Sequence, residues 1–333
     1  RQRQMCIRDR GKLTEINMLK QWWLKWREPK PFNEGYLPEA DGHRIYFAEY
    51  GKKGGKPVLL THGGPGGQTH AGHAAVFDLK KYRVIMFDQR GCGKSLPAGK
   101  LENNTMEDTL WDMKRLYEHL QLKEKVILRG ASWGSTVMLC FAEKYPELVE
   151  CLLLSQIFLA DGVHEEWFNK QSALFYPEFV EAMTKNAGSW KSLPEYYAEL
   201  INSGDEAKQL QAANQYGWYE RVLGAVNPSF GTAAALDDAG RQELRIYLNY
   251  AAKAYTLKNN QIMRQVKKIS HLPALLIHNR LDMDCPLYSA YQLHLRMPAS
   301  KLVIAPGIGH YNPQLKAFIS REIKAYLKNE INN

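Results

Sequence analysis

The stretch GASWGST, residues 130–136, sets a serine between two glycines. In a tight strand-to-helix turn, a G-x-S-x-G string lifts the serine Oγ above a sheet. It also puts the next backbone N–H at a helix N-terminus. The chemistry that suits such a serine is acyl transfer, with Ser132 as the nucleophile. Serine attacks poorly at neutral pH, so it needs a base, and the base needs an orienting acid.

Acids and histidines occur later in the chain in the order Ser, Asp, His. After ALLIHN comes RLDMD, with Asp282 and Asp284, and after KLVIAP comes GIGH, ending on His310. Both stretches follow strand-like runs, where open α/β sheets place their active sites. Asp282 is preferred as the acid, with Asp284 as its rival; His310 is preferred as the base over His278, which ends a strand and reads as a buried polar residue. Acyl transfer also needs donors for the developing oxyanion. The glycines of HGGPGG, residues 62–67, let backbone N–H groups approach a substrate, and the Gly64 and Trp133 N–H groups are the expected pair. His62, His70 and His73 lie in the same loop, but no carboxylate stands at useful spacing, so neither a metal nor a cofactor is expected.

The elements that must position these residues follow from pattern. HRIYFAEYG (43–51), PVLLTHGG (57–64), YRVIMFDQRG (82–91), KVILRGA (125–131) and CLLLSQIFL (151–159) read as strands. TMEDTLWDMKRLYEHLQL (105–122) repeats apolar residues at helical spacing, and Thr105 with Asp108 suits a capped start. Strand-helix alternation points to an α/β fold with a mostly parallel sheet and helices on both faces. Residues 160–265 lack β-branched runs and read as helical; alternation then resumes with HLPALLIHN (271–279), KLVIAPG (301–307) and a helix near 313–328. The organisation expected is a tail over 1–10, an N-terminal extension over 11–34, core over 35–159, a helical cap over 160–265, and core again over 266–333.

Composition agrees with one globular body: 45% of the 333 residues are apolar and 24% are charged. The net charge is +9, part of it from Arg1, Arg3, Arg8 and Arg10 in the opening RQRQMCIRDR. That opening resembles translated sequencing-adapter read-through and is left out of the fold. No Lys/Arg stripe is present, so a nucleic-acid partner is not expected. MLKQWWLKW (18–26) is interrupted by lysines and glutamine, so it reads as a short amphipathic helix and not a membrane span. The five cysteines, Cys6, Cys92, Cys140, Cys151 and Cys285, include no C-x-x-C pair. That argues against a disulfide framework and a structural zinc site, and a cytoplasmic protein is expected.

HGGPGG, FDQRGCGKS (87–95), NNT (103–105) and GASWGST, in this order, resemble the proline iminopeptidases, a serine-peptidase group of α/β-hydrolases. The likeness runs from GYLPEADGHRIYF (35–47) to IFL (157–159) and returns at RLDMDCP (280–286) and GIGH; the middle is looser. The resemblance implies an α/β-hydrolase fold with an inserted helical cap. It implies removal of N-terminal proline from a small peptide or amino-acid amide without metal or cofactor. It also implies Ser132 as nucleophile, Asp282 as orienter and His310 as base then acid. The family holds the free amine with cap glutamates, one in a stretch like A-A-x-x-W-x-x-W-E. AANQYGWYE (212–220) matches it and makes Glu220 the implied amine anchor. Phe158, Trp218 and Tyr219 are the implied walls for a proline ring.

The chain departs from that pattern in the specificity region. Where the family has R-I-E-N-H-Y with a second glutamate, this chain has RIYLNY (245–250), with Tyr247 at the charged position. GGSWG becomes GASWG, RGIF becomes SQIF, and GRYD becomes NRLD. A missing charge at Tyr247 weakens the hold on an amine. An amino-acid amidase or carboxylesterase on the same scaffold is therefore the competing reading, and a binding protein without activity is a third. The complete set of serine, acid, base and glycine loop argues against the third. The oligomeric state does not follow from the sequence.

Overall fold

The computed structural model describes residues 28–188, 192–225, 237–307, 309–310 and 313–331. The segments 1–10 and 18–26 discussed above lie outside the described residues. Eight strands form one sheet: β1 (Asn33–Tyr36), β2 (Tyr46–Gly51), β3 (Lys56–Thr61), β4 (Tyr82–Phe87), β5 (Val126–Ser132), β6 (Val149–Ile157), β7 (Ala274–Asn279) and β8 (Ser300–Ala305). Their spatial order is β1-β2-β4-β3-β5-β6-β7-β8. β1 and β2 are antiparallel to their neighbours, and β4, β3, β5, β6, β7 and β8 run parallel. β1 was not read from the sequence: NEGY is four residues long, polar and half exposed, so it carries no apolar alternation.

The parallel strands are apolar on both faces because helices cover both. Along β5, Val126 and Leu128 point into one core with Val137 and Phe141, while Ile127 points into the other with Leu315 and Ile323. The covering helices include α1 (Met106–His119) and α2 (Trp133–Lys144). The start of α1 is fixed by a capping box: Thr105 Oγ1 accepts from the Asp108 N–H, and Asp108 Oδ2 accepts from the Thr105 N–H at 2.9 Å.

Between β6 and β7 come α3 (Gly162–Asn169), α4 (Pro177–Ala187), α5 (Leu193–Asn202), α6 (Glu206–Ala212), α7 (Trp218–Gly224) and α8 (Asp238–Ala252). They close a separate apolar cluster around Phe168, Tyr197, Tyr216, Tyr219 and Leu248. Polar ties dock this layer on the core: Tyr250 Oη donates to Asn104 Oδ1 at 2.9 Å, and Trp167 Nε1 donates to Met283 O at 2.6 Å. The sheet ends with α9 (Leu287–Arg296) between β7 and β8, then α10 (Pro313–Tyr326). Among the described residues no helix is long and apolar enough to cross a membrane.

Candidate active site

Ser132 closes β5 and precedes α2, with φ 54° and ψ −130°. For a residue with a Cβ this left-handed backbone is strained by about 1–3 kcal/mol. The flanking glycines make the turn feasible. A Cβ on Gly130 would lie 2.2 Å from the Gly134 carbonyl oxygen, and one on Gly134 would lie 2.9 Å from the His62 oxygen. Beneath the turn, Ser135 Oγ donates to Ser132 O at 2.7 Å and accepts from the Phe158 N–H at 3.1 Å.

His310 Nε2 stands 3.2 Å from Ser132 Oγ, and its Nδ1 is 2.9 Å from Asp282 Oδ2. The other Asp282 oxygen accepts from the Cys285 N–H at 2.8 Å. Burial alone would push the Asp282 carboxyl up, but facing His310 and Cys285 N–H outweigh it and hold it low. Burial pulls the His310 imidazole down, and the negative charge of Asp282, then of Asp284, overcomes that and raises it. The loop carrying His310 is held by two amides: Gln156 Nε2 donates to His310 O at 2.8 Å and Asn279 Nδ2 to Gly309 O at 2.9 Å.

The rivals separate by geometry. Asp284 is buried and lies on the opposite side of the imidazole, with Oδ2 3.5 Å from Nε2, so it cannot orient Nδ1. His278 is buried; its Nδ1 accepts from the Ile157 N–H at 2.9 Å and its Nε2–H donates to Cys285 O at 2.7 Å. Both nitrogens are spent on the backbone.

FDQRGCGKS fastens the loop that faces the serine. Gln89 Nε2 donates to Thr61 Oγ1 at 3.1 Å and to His62 O at 3.2 Å, while its Oε1 accepts from Trp133 Nε1 at 2.8 Å. His62 Nε2 accepts from the Gln89 N–H at 3.0 Å, so its Nδ1 carries the proton and donates to Gly63 O at 2.8 Å. Asp88 accepts from the Thr69 N–H at 2.7 Å and the Lys94 N–H at 2.9 Å. Buried Arg90 pairs with Asp112 through Nε at 2.6 Å and Nη2 at 3.1 Å. The motif is thus a clamp between the sheet, the glycine loop and the serine turn.

A cavity of about 700 Å³ opens over Ser132 and His310 and is lined by Gly63, Gly64, Trp218, Glu220, Glu243 and Tyr247 among others. Its cap wall is an uninterrupted helical run in which a π-helical turn, Ala213–Gly217, joins α6 to α7. Such turns shift the phase of side chains and recur at functional sites.

Two of the aromatic residues expected in the pocket lie elsewhere. Tyr219 is fully buried in the cap's own core, its hydroxyl bonded to Ser172 and, at 3.2 Å, to Phe168 O. On one helix, neighbours point about 100° apart, so Glu220 facing the cavity turns Tyr219 away. Phe158 is buried behind the serine turn, its ring 5.0 Å from that of Tyr255 and 6.5 Å from that of Trp133. Neither lines the cavity.

One residue without a role in the sequence analysis also stands here. Glu243, one helical turn before Tyr247, faces the cavity, and burial together with the charge of Glu220 raises its carboxyl. Asp284, Cys285 and His310 bring donor atoms within 4.8 Å of one another, a group capable of holding an ion that spacing alone did not reveal.

An activated serine above a mostly parallel sheet, with acid and base on later strand ends, defines a serine hydrolase of the α/β-hydrolase class. Residues 56–315 match the family model described as alpha/beta hydrolase fold. Solved structures agree on the fold. An esterase from Exiguobacterium antarcticum superposes with TM-score 0.60 at 18% identity, covering 89% of this chain and 100% of that one. A bromoperoxidase from Bacillus anthracis gives 0.55 at 20%, covering 89% and 100%.

Sequence relatives narrow the class. The proline iminopeptidase of Arabidopsis thaliana is 33% identical over 292 residues, 84% of this chain and 76% of that protein. The proline iminopeptidase of Xylella fastidiosa strain Temecula1 is 33% identical over 305 residues, 86% and 94%. The chain belongs to the proline iminopeptidase family of α/β-hydrolases.

Proposed function

We propose that the protein is a serine aminopeptidase that releases N-terminal proline from small peptides. The observation that carries this reading is the Ser132–His310–Asp282 chain of contacts at 3.2 and 2.9 Å, opening into a cavity that also holds Glu220. The names of the relatives support proline as the residue released.

In this account Ser132 Oγ attacks the carbonyl carbon of the first residue while His310 Nε2 takes its proton. Asp282 keeps Nδ1–H fixed and balances the imidazolium. The tetrahedral oxyanion turns toward the Trp133 N–H, at the start of α2, and the Gly64 N–H. Collapse expels the shortened peptide, whose amine takes the proton from His310. Water, deprotonated in turn by His310, then hydrolyses the acyl-enzyme. Glu220 pairs with the free ammonium, and Trp218 and Tyr247 border the same cavity. The four described cysteines are buried free thiols, which suits a reducing cytoplasm.

Tyr247 at a position where the family carries charge supports a second reading, an amino-acid amidase or carboxylesterase. Ser132→Ala tests the chemistry common to both. It should remove turnover of prolyl arylamides, on the order of 10⁴-fold or more, while leaving the melting temperature close to wild type. Retained turnover would remove Ser132 from the mechanism.

A further inference from the structure

The cavity over Ser132 is acidic on its cap wall and basic on its core wall. Glu220 and Glu243 line it from the cap, with the cation Arg221 among them. His70 and His73 line it from the core, on the loop that follows β3. The mechanism above places the amine at the acidic wall and gives the two histidines no part.

Helix packing brings a lysine to the basic wall. Leu315 and Ile319 of α10 share an apolar core with Ala74, Val76 and Phe77, just past the histidines. Lys316 is exposed on the same helix and, among the described residues, has no ion-pair partner. Its Nζ and His70 Nδ1 converge over Gly72: a Cβ there would lie 2.7 Å from the one and 2.9 Å from the other. The rings of His70 and His73 stand 3.7 Å apart between centroids. The His70 N–H donates to His73 Nδ1 at 3.3 Å, so Nε2 carries the hydrogen of the neutral His73 ring. Burial, then the positive charges of His70, Arg129, His62 and Lys316, hold His73 down to about 3. Burial and Lys316 lower His70 as well, against the charge of Glu28. Imidazole N–H donors beside a standing ammonium suit an anion.

The reaction sends the departing peptide toward this wall. His310 Nε2 gives its proton to the leaving nitrogen, so the leaving peptide lies on the His310 side of Ser132. The chain after His310 leads into α10, which carries Lys316. An extended di- or tripeptide spans about 7–11 Å. A cavity of about 700 Å³ therefore holds both of its ends.

We propose that Lys316, His70 and His73 form a leaving-group subsite that takes the C-terminal carboxylate of the substrate, so that the enzyme selects prolyl di- and tripeptides with a free C-terminus. This rests on the aminopeptidase reading above and extends it from the residue released to the peptide left behind. The substrate is held at both ends, its ammonium on the cap and its carboxylate on the core.

The test compares Pro-Gly and Pro-Gly-Gly with their C-terminal amides, on wild type, Lys316→Met and His73→Leu. Wild type should favour the free acids about tenfold in kcat/KM, the size of a charged hydrogen bond reduced by solvent at an exposed lysine. The preference should lie in KM and shrink as salt is raised. Each variant should bring the ratio of acid to amide close to one by raising KM for the acids. Lys316→Arg keeps the charge and should keep the preference. Equal use of acid and amide at both lengths by wild type, or a preference that survives Lys316→Met, would overturn the proposal. If wild type cleaves none of these peptides yet hydrolyses simple esters, the aminopeptidase reading fails and this inference with it. If it cleaves acids and amides alike, only this inference fails.

Discussion

Gln89→Leu tests how the site is held together. Leucine keeps nearly the same volume but makes none of the side-chain hydrogen bonds. Gln89 is 3% exposed and joins three parts at once: Thr61 at the end of β3, His62 O in the glycine loop, and Trp133 Nε1 in the serine turn. Thr61 Oγ1 keeps its bond to Phe87 O at 3.3 Å, so its loss is small. The Trp133 N–H sits on a fully buried residue and loses its partner, as His62 O loses the amide. Two orphaned buried groups at about 1–3 kcal/mol each give a cost of roughly 2–6 kcal/mol. For a chain of this size that lowers the melting temperature by roughly 3–9 °C.

The clamp also holds the loop and turn that carry the Gly64 and Trp133 N–H groups proposed to take the oxyanion, and misplacing such donors by about 1 Å costs on the order of a hundredfold. kcat on prolyl 4-nitroanilide should therefore fall much more than KM changes. Thermal melts and steady-state kinetics on the same preparation read both effects. A variant melting within about 1 °C of wild type with undiminished kcat would refute the argument that this residue ties loop to turn.

Glu220→Gln should raise KM for free-amine substrates about ten- to a hundredfold while sparing blocked esters; equal effects on both would discredit an amine contact. Gly130→Ala forces a Cβ to 2.2 Å from backbone, so it should cost about 3 kcal/mol or more and abolish activity. A wild-type melt with full turnover would show that the turn relaxes. Chelators should leave activity intact, while added Zn²⁺ should inhibit by drawing His310 into a group with Asp284 and Cys285, whose donor atoms already lie within 4.8 Å. Loss of activity on chelation, restored by zinc, would contradict serine chemistry.

The sequence carried the triad because each member sits just past an apolar strand in a glycine-rich or turn-rich stretch, and chain order alone orders them. Asp282 was preferred over Asp284 from the sequence, but spacing alone does not separate them: two residues apart they meet opposite nitrogens of one imidazole, and the path of the turn decides which. Glu220 was legible by resemblance and does face the cavity. Tyr219 and Phe158 were misplaced because ring walls depend on helix phase and on what packs behind the turn. The π-helical turn at Ala213–Gly217 alters that phase without a marker in composition. Gln89 and Gln156 went unread because amides that bond backbone across long separations leave no periodic signal. β1 escaped for a different reason: an edge strand of four residues needs no apolar face.

The central claim is that Ser132 attacks the carbonyl of a residue whose free amine is read by acidic groups in the same cavity. Initial rates on prolyl 4-nitroanilide with the amine free and acetylated test it most directly. Rapid cleavage of the free form, with the acetylated form inert, is the predicted result. Equal cleavage of both would contradict it and mark a hydrolase that does not read the amine.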